Sequence, residues 1–94
     1  MSIVVTIDTP GLTAENYEQA QAEMGLVGTL PAGCSAHIAG PTPDGAGWRV
    51  TSVWEDEPAL MAFAGGILRP TFERLGFPSP AGRPIPTSVY RFQL

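Results

Sequence analysis

Residues 3–11 read Ile3-Val4-Val5-Thr6-Ile7-Asp8-Thr9-Pro10-Gly11, and the fold follows from how that stretch is understood. The run Ile3 to Ile7 is almost wholly β-branched, which suits a pleated strand better than a helix, and the cluster of turn formers behind it provides a tight exit. Ile3, Val5 and Ile7 fall on one face by alternation, while Val4 and Thr6 on the other are scarcely more polar. Neither side of this strand is designed for water, so both should be covered.

The rest of the chain supplies cover for one of them. Thr13 is placed to cap a helix, Glu15 lies in its first turn where the dipole favours an acid, and Leu12 and Tyr17 are spaced as a hydrophobic staple. Ala14, Tyr17, Ala20 and Met24 recur at helical spacing, and Gly25 supplies the stop. After the Leu30-Pro31-Ala32-Gly33 loop, a short strand over 34–39 and a strand over 48–55 flank a hairpin connection dense in Gly and Pro. Trp48, Val50, Ser52 and Trp54 share one face of the second of these strands. Asp56 caps a second helix with Pro58 near its start, and Leu60, Phe63, Ala64, Ile67 and Leu68 form its apolar stripe. Pro70 would clash with the carbonyl of Gly66, so a bend is expected at Gly65-Gly66 before the helix ends at Gly76. A proline-rich connector follows, and 87–92 is expected as the last strand. The order β-α-β-β-α-β specifies a single α+β domain over residues 1–94, with adjacent hairpin strands antiparallel.

Composition narrows the partners. A chain of 94 residues buries only roughly 60–65% of the surface its unfolded form exposes, which makes self-association a natural remedy. Nine acids face five arginines with no lysine, giving a net charge of -4 and no basic stripe, which argues against nucleic acid and against an anionic membrane surface. No apolar stretch approaches the ~20 residues needed to span a bilayer. The single cysteine, Cys34, cannot close an internal disulfide, and with one histidine it cannot complete a structural zinc site. The absence of a basic residue ahead of the first apolar run speaks against a secretory leader, and the chain reads as cytoplasmic.

Taken together, the Pro31-Ala32-Gly33 turn before a strand carrying His37, the glycine-rich hairpin before Trp48, Val53-Trp54-Glu55-Asp56 at the start of the second helix, Phe63, Leu68-Arg69-Pro70 and Gly76 resemble the dimeric α/β-barrel superfamily. This is the ferredoxin-like group that includes the antibiotic biosynthesis monooxygenases, and the resemblance spans nearly the whole chain. It implies a four-stranded antiparallel sheet, a homodimer formed by two sheets packed face to face, and a small-molecule pocket between each sheet and its helices. Monooxygenase and haem-degrading relatives place an asparagine near the end of the first strand, where this chain has Thr6, Ile7 and Asp8. Phe63 and Glu73 stand where haem-degrading members have tryptophan and histidine, so haem degradation is disfavoured.

His37 is the one imidazole, set among small residues, and could act as general base on an acidic phenol or enol; a strand histidine held in an interface is the plainer account. Tyr17, Trp54, Met61, Phe63, Phe72 and Tyr90 are the bulk from which an apolar substrate pocket could be lined, although a small domain needs such residues as core. Trp48, beside the hairpin, reads as an interface residue. Cys34 lies three residues from His37 and so on the opposite strand face, which removes a Cys-His pair. Gly40 to Gly47 joins two strands instead of preceding a helix, so no phosphate loop is present. No metal or cofactor is called for. Two readings remain open: a cofactor-free monooxygenase, or an isomerase or cyclase, acting on aromatic or polyketide-like compounds, and a non-catalytic ligand-binding or interaction dimer.

Overall fold

A computed structural model describes residues 2–94. Strand β1 (Ile3–Pro10) runs past its β-branched stretch because Asp8, Thr9 and Pro10 still find partners across the ladder in Arg49, Trp48 and Gly47. The turn expected at Asp8 therefore comes at Gly11. Helix α1 (Ala14–Glu23) starts at Thr13, whose hydroxyl accepts from the Asn16 N–H at 3.0 Å while the Asn16 side chain accepts from the Thr13 N–H at 3.3 Å. This reciprocal pair is a capping box with asparagine at the position more often taken by Glu or Gln.

Strands β2 (Cys34–Pro41) and β3 (Gly47–Trp54) form the hairpin, and β3 also pairs with β1. The short strand β4 (Thr87–Ser88) completes the sheet on the far side of β1, in the order β2-β3-β1-β4 with every neighbouring pair antiparallel. This is the ferredoxin-like α+β fold that the element order specifies. The last strand is shorter than the expected 87–92. Ser88 already pairs with Ile3, where β1 begins, so beyond it, among the described residues, only the Val89 N–H finds a backbone partner, the carbonyl of Ser2, and Tyr90 is 96% exposed.

Gly33 fixes the entry to β2. Its φ of +82° is open to glycine, a Cβ there would lie 2.7 Å from that of Ala59, and its carbonyl accepts from the Glu55 N–H at 2.8 Å. The turn is thereby clamped against the start of helix α2 (Glu57–Phe63), which Asp56 caps by accepting from the Ala59 N–H at 2.9 Å. The bend expected near Gly65-Gly66 takes the form of one π-helical turn, residues 64–68, in which the Arg69 N–H reaches the carbonyl of Ala64. Widening the turn relieves the conflict between the Pro70 ring and the backbone before it, and the helix resumes as α3 (Arg69–Leu75) until Gly76 closes it at φ +70°. The wide turn also shifts the helical phase, so Ile67, expected in the buried stripe, is exposed.

The core lies on the face of the sheet that the helices cover. Val5, Trp54 and Leu60 are its centre, with Ile3, Ile7, Cys34, Ala59 and Phe63 packed around them. The opposite face carries Val4, Thr6, Ile38, Thr51, the buried Val53 and the Asp8–Arg49 ion pair, and both helical arms lie on the other side of the sheet.

Candidate active site

A cavity of about 400 Å³ opens between the covered face of the sheet and the helices. Alternation along the strands aims Ile7 and Thr9 of β1, His37 of β2, and Trp48, Val50, Ser52 and Trp54 of β3 into it. Tyr17 and Ala20 close it from α1, and Leu60, Phe63, Ala64, Leu68 and Phe72 from the second helical arm. The loop through Gly28, Thr29, Leu30 and Pro31 forms part of its rim. The wall is predominantly apolar with a few convergent polar groups, as in pockets for small organic molecules.

One polar pair stands out. The Tyr17 hydroxyl and His37 Nε2 lie 2.5 Å apart, joining α1 to β2. Burial raises the Tyr17 hydroxyl above its ordinary value, with Glu18 adding to the effect, and burial lowers the His37 imidazole. Near neutral pH the pair is thus an un-ionised phenol facing an un-ionised imidazole. The phenol O–H donates to Nε2 when the imidazole carries its proton on Nδ1. The Tyr17 ring packs against the His37 ring, centroids 6.0 Å apart and 23° from parallel, and against Trp48 at 5.3 Å and 36°. Ser52 pairs with His37 across the ladder, and its hydroxyl accepts from Trp54 Nε1 at 2.9 Å. Trp48 Nε1 is the one buried side-chain nitrogen or oxygen without a hydrogen-bond partner among the described residues.

Three solved structures share this architecture. A mutant of SnoaB, a cofactor-independent oxygenase from Streptomyces nogalater, superposes with a TM-score of 0.62 at 14% identity, over 97% of this chain and 94% of that one. A candidate antibiotic biosynthesis monooxygenase from Chloroflexus aurantiacus gives 0.66 at 10% identity, over 99% and 97%. The fold is the ferredoxin-like one that these structures share. The structural genomics protein YJCS gives 0.63 at 13% identity, over 95% and 99%. By sequence the chain matches no family model and no curated protein, so the likeness is one of fold.

Within this fold the predicted site residues separate into two groups. His37, Tyr17, Trp54, Phe63 and Phe72 all line the cavity. Met61 and Tyr90 do not: Met61 is 58% exposed because it follows Leu60, and successive helical residues cannot share an inward face, while Tyr90 lies beyond the end of β4. Trp48, expected at an interface, is a cavity wall instead. The signal was present in the sequence, since Trp48 alternates with Val50, Ser52 and Trp54, but deciding which face the helices cover needed the tertiary structure.

Cys34 requires a second correction. Cys34 pairs with Trp54 but Ala36 with Val53, so a bulge at Ser35 absorbs one residue and returns Cys34 and His37 to the same face. The two still do not pair. Cys34 Sγ donates to the Ala36 carbonyl, and burial pushes the thiol up, the reverse of what a nucleophile needs. Among the described residues no three His, Cys, Asp or Glu side chains gather closely enough to hold a metal ion, and no helix is long and apolar enough to cross a membrane.

Proposed function

We propose that this protein binds a flat, largely apolar aromatic or polyketide-like molecule in the cavity and oxidises or rearranges it without metal or flavin. The observation that carries the reading is the Tyr17–His37 pair set in an otherwise apolar wall. A neutral imidazole in such surroundings is suited to take the proton of a phenol or enol. The electron-rich anion so formed can itself reduce dioxygen, which leaves the protein to orient the substrate and keep water away. Trp54, Phe63 and Phe72 would hold the ring system. The shared fold with a cofactor-independent oxygenase supports this choice of chemistry.

In the same reading the protein is a cytoplasmic homodimer whose open sheet face packs against that of a second copy. Ile38, 70% exposed, stands on the edge strand β2 of that face opposite Thr51, next to the Ala36–Val53–Val4 row, and the tail beyond β4 exposes Tyr90, Phe92 and Leu94. Sedimentation at micromolar concentration tests it, and a stable monomer would contradict it.

The chemical test is oxygen uptake and product formation on a panel of phenolic and quinone-type compounds. Turnover by the wild type that falls at least ~100-fold in His37→Ala is the expected result. Equal rates would remove His37 from the mechanism. One observation favours a second reading, a non-catalytic ligand carrier: the titratable groups on the wall, Tyr17 and His37, already satisfy each other. Tight binding of panel members with no conversion would establish that alternative.

A further inference from the structure

We infer that Tyr17 is the group that meets the substrate hydroxyl, its phenolic oxygen taking the substrate's proton while its own proton passes to His37 Nε2. This inference deepens the reading of the cavity as a site for acidic phenols and enols, and rests on it. His37 Nε2 is already occupied by the Tyr17 hydroxyl, so a ligand proton reaches that nitrogen through the tyrosine oxygen. The tyrosine ring cannot easily swing aside, since it packs against both the His37 and the Trp48 rings with Leu12 and Ala20 on the same wall.

The proton balance is complete. The ligand O–H bond breaks and a new O–H bond forms on Tyr17, as the old Tyr17 O–H bond breaks and an N–H bond forms on His37. The products are a bound phenolate or enolate, a neutral tyrosine and an imidazolium. The charges thus created lie on the two outer partners, and tyrosine never carries a full negative charge. That matters because burial opposes a tyrosinate there. Apart from Tyr17 and His37, no titratable side chain lines the cavity among the described residues; Thr9, Gln21, Thr29 and Ser52 are its uncharged polar residues, and Glu18 on α1 is the carboxylate acting on Tyr17. A resting hydrogen bond that already spans donor and acceptor gives the transfer its path without rearrangement.

The probe is a hydroxyanthraquinone, whose visible band moves to longer wavelength when its hydroxyl ionises. Bound to the wild type, it should ionise at lower pH than in solution, with a midpoint displaced by about one unit or more, a tenfold or larger effect. Tyr17→Phe and His37→Ala should each abolish that displacement, and the double variant should do no more than either, because groups acting in series are not additive. Both variants, read on fully bound probe, should keep the wild-type circular dichroism spectrum and cooperative unfolding, separating a lost relay from a lost fold. If Tyr17→Phe ionised the bound probe as the wild type does, His37 would be taking the proton directly and the relay would be wrong. A wild type that left the bound probe protonated, or failed to bind the series at all, would also overturn it. Ionisation of the probe without oxygen consumption by any substrate would leave the relay intact and defeat the oxygenase reading alone.

Discussion

The two faces of the sheet are made from the same three long strands, residue by alternate residue, and have opposite characters. On the covered face Val5 and Trp54 are 2% exposed, and the polar groups either pair across the cavity or sit on its wall. On the open face Ile38 is largely exposed, Thr6 and Thr51 hydrogen-bond each other at 3.1 Å, and Arg49 grips Asp8 through two bonds of 2.7 and 2.9 Å. Strand propensity cannot account for the contrast, since β1 and β3 contribute equally to both. What differs is what lies above. Helices exclude water from one side, so apolar contacts there contribute to the stability of the single chain, whereas the exposed Ile38 on the other side gains nothing until a second surface arrives.

The sharpest way to break that contrast is at its buried end. Trp54→Ala removes a core aromatic and its bond to Ser52, and should destabilise the fold by about 3–5 kcal/mol in chemical denaturation. A loss under about 1 kcal/mol, the scale of an ordinary surface change, would mean that the covered face is not the core.

Next comes Ile38→Asp, which puts a charge on the most exposed apolar residue of the open face's three long strands. If two copies meet there, association should weaken by on the order of 100-fold, about 3 kcal/mol, in sedimentation, with the circular dichroism spectrum unchanged. Unaltered association would place any interface elsewhere.

Acid should separate the faces by pH. Burial lowers the folded-state His37 below its ordinary 6.5, so between that lowered value and 6.5 the unfolded chain holds a proton the folded one refuses. Stability should therefore be full above pH 6.5 and decline as pH falls below it, a slope that His37→Gln flattens. On the open face the bonds from Arg49 hold Asp8 below its usual 3.8, and the stability it lends is lost as pH falls through its lower folded value. A wild-type stability curve flat through pH 6.5 would show that His37 is solvated, contrary to its place in the wall.

The smallest effect is expected for Thr51→Val, which breaks the exposed bond to Thr6 but leaves that hydroxyl to water. A change within about 0.5 kcal/mol is anticipated in the monomer. A cost several times larger would indicate that the threonine pair is shielded, and hence that the face is covered in solution.

How much of this was legible in the residues follows from the range of the forces involved. Thr13 and Asp56 as caps, Gly76 as a stop and the bend ahead of Pro70 depend on neighbours within a turn, and each is where its local chemistry puts it. Trp54, Phe63 and Phe72 could be nominated as wall residues because large apolar side chains on a small sheet and its helices converge. The bulge at Ser35 could not be anticipated, because it depends on how β2 registers against β3, and it reversed the relation between Cys34 and His37. The length of β4 was likewise set by where β1 offers partners and not by the Thr87–Phe92 composition.

The sequence by itself determined the element order, the helix limits and the surplus of apolar strand surface, since backbone sterics, capping and alternation act over a few residues. Only the tertiary structure decided that Tyr17 and His37, twenty positions apart on different elements, share a hydrogen bond inside an apolar cavity with Trp48 beside them. Which side chains meet across a layer depends on strand register and on which face a helix covers, quantities fixed by packing the whole chain at once.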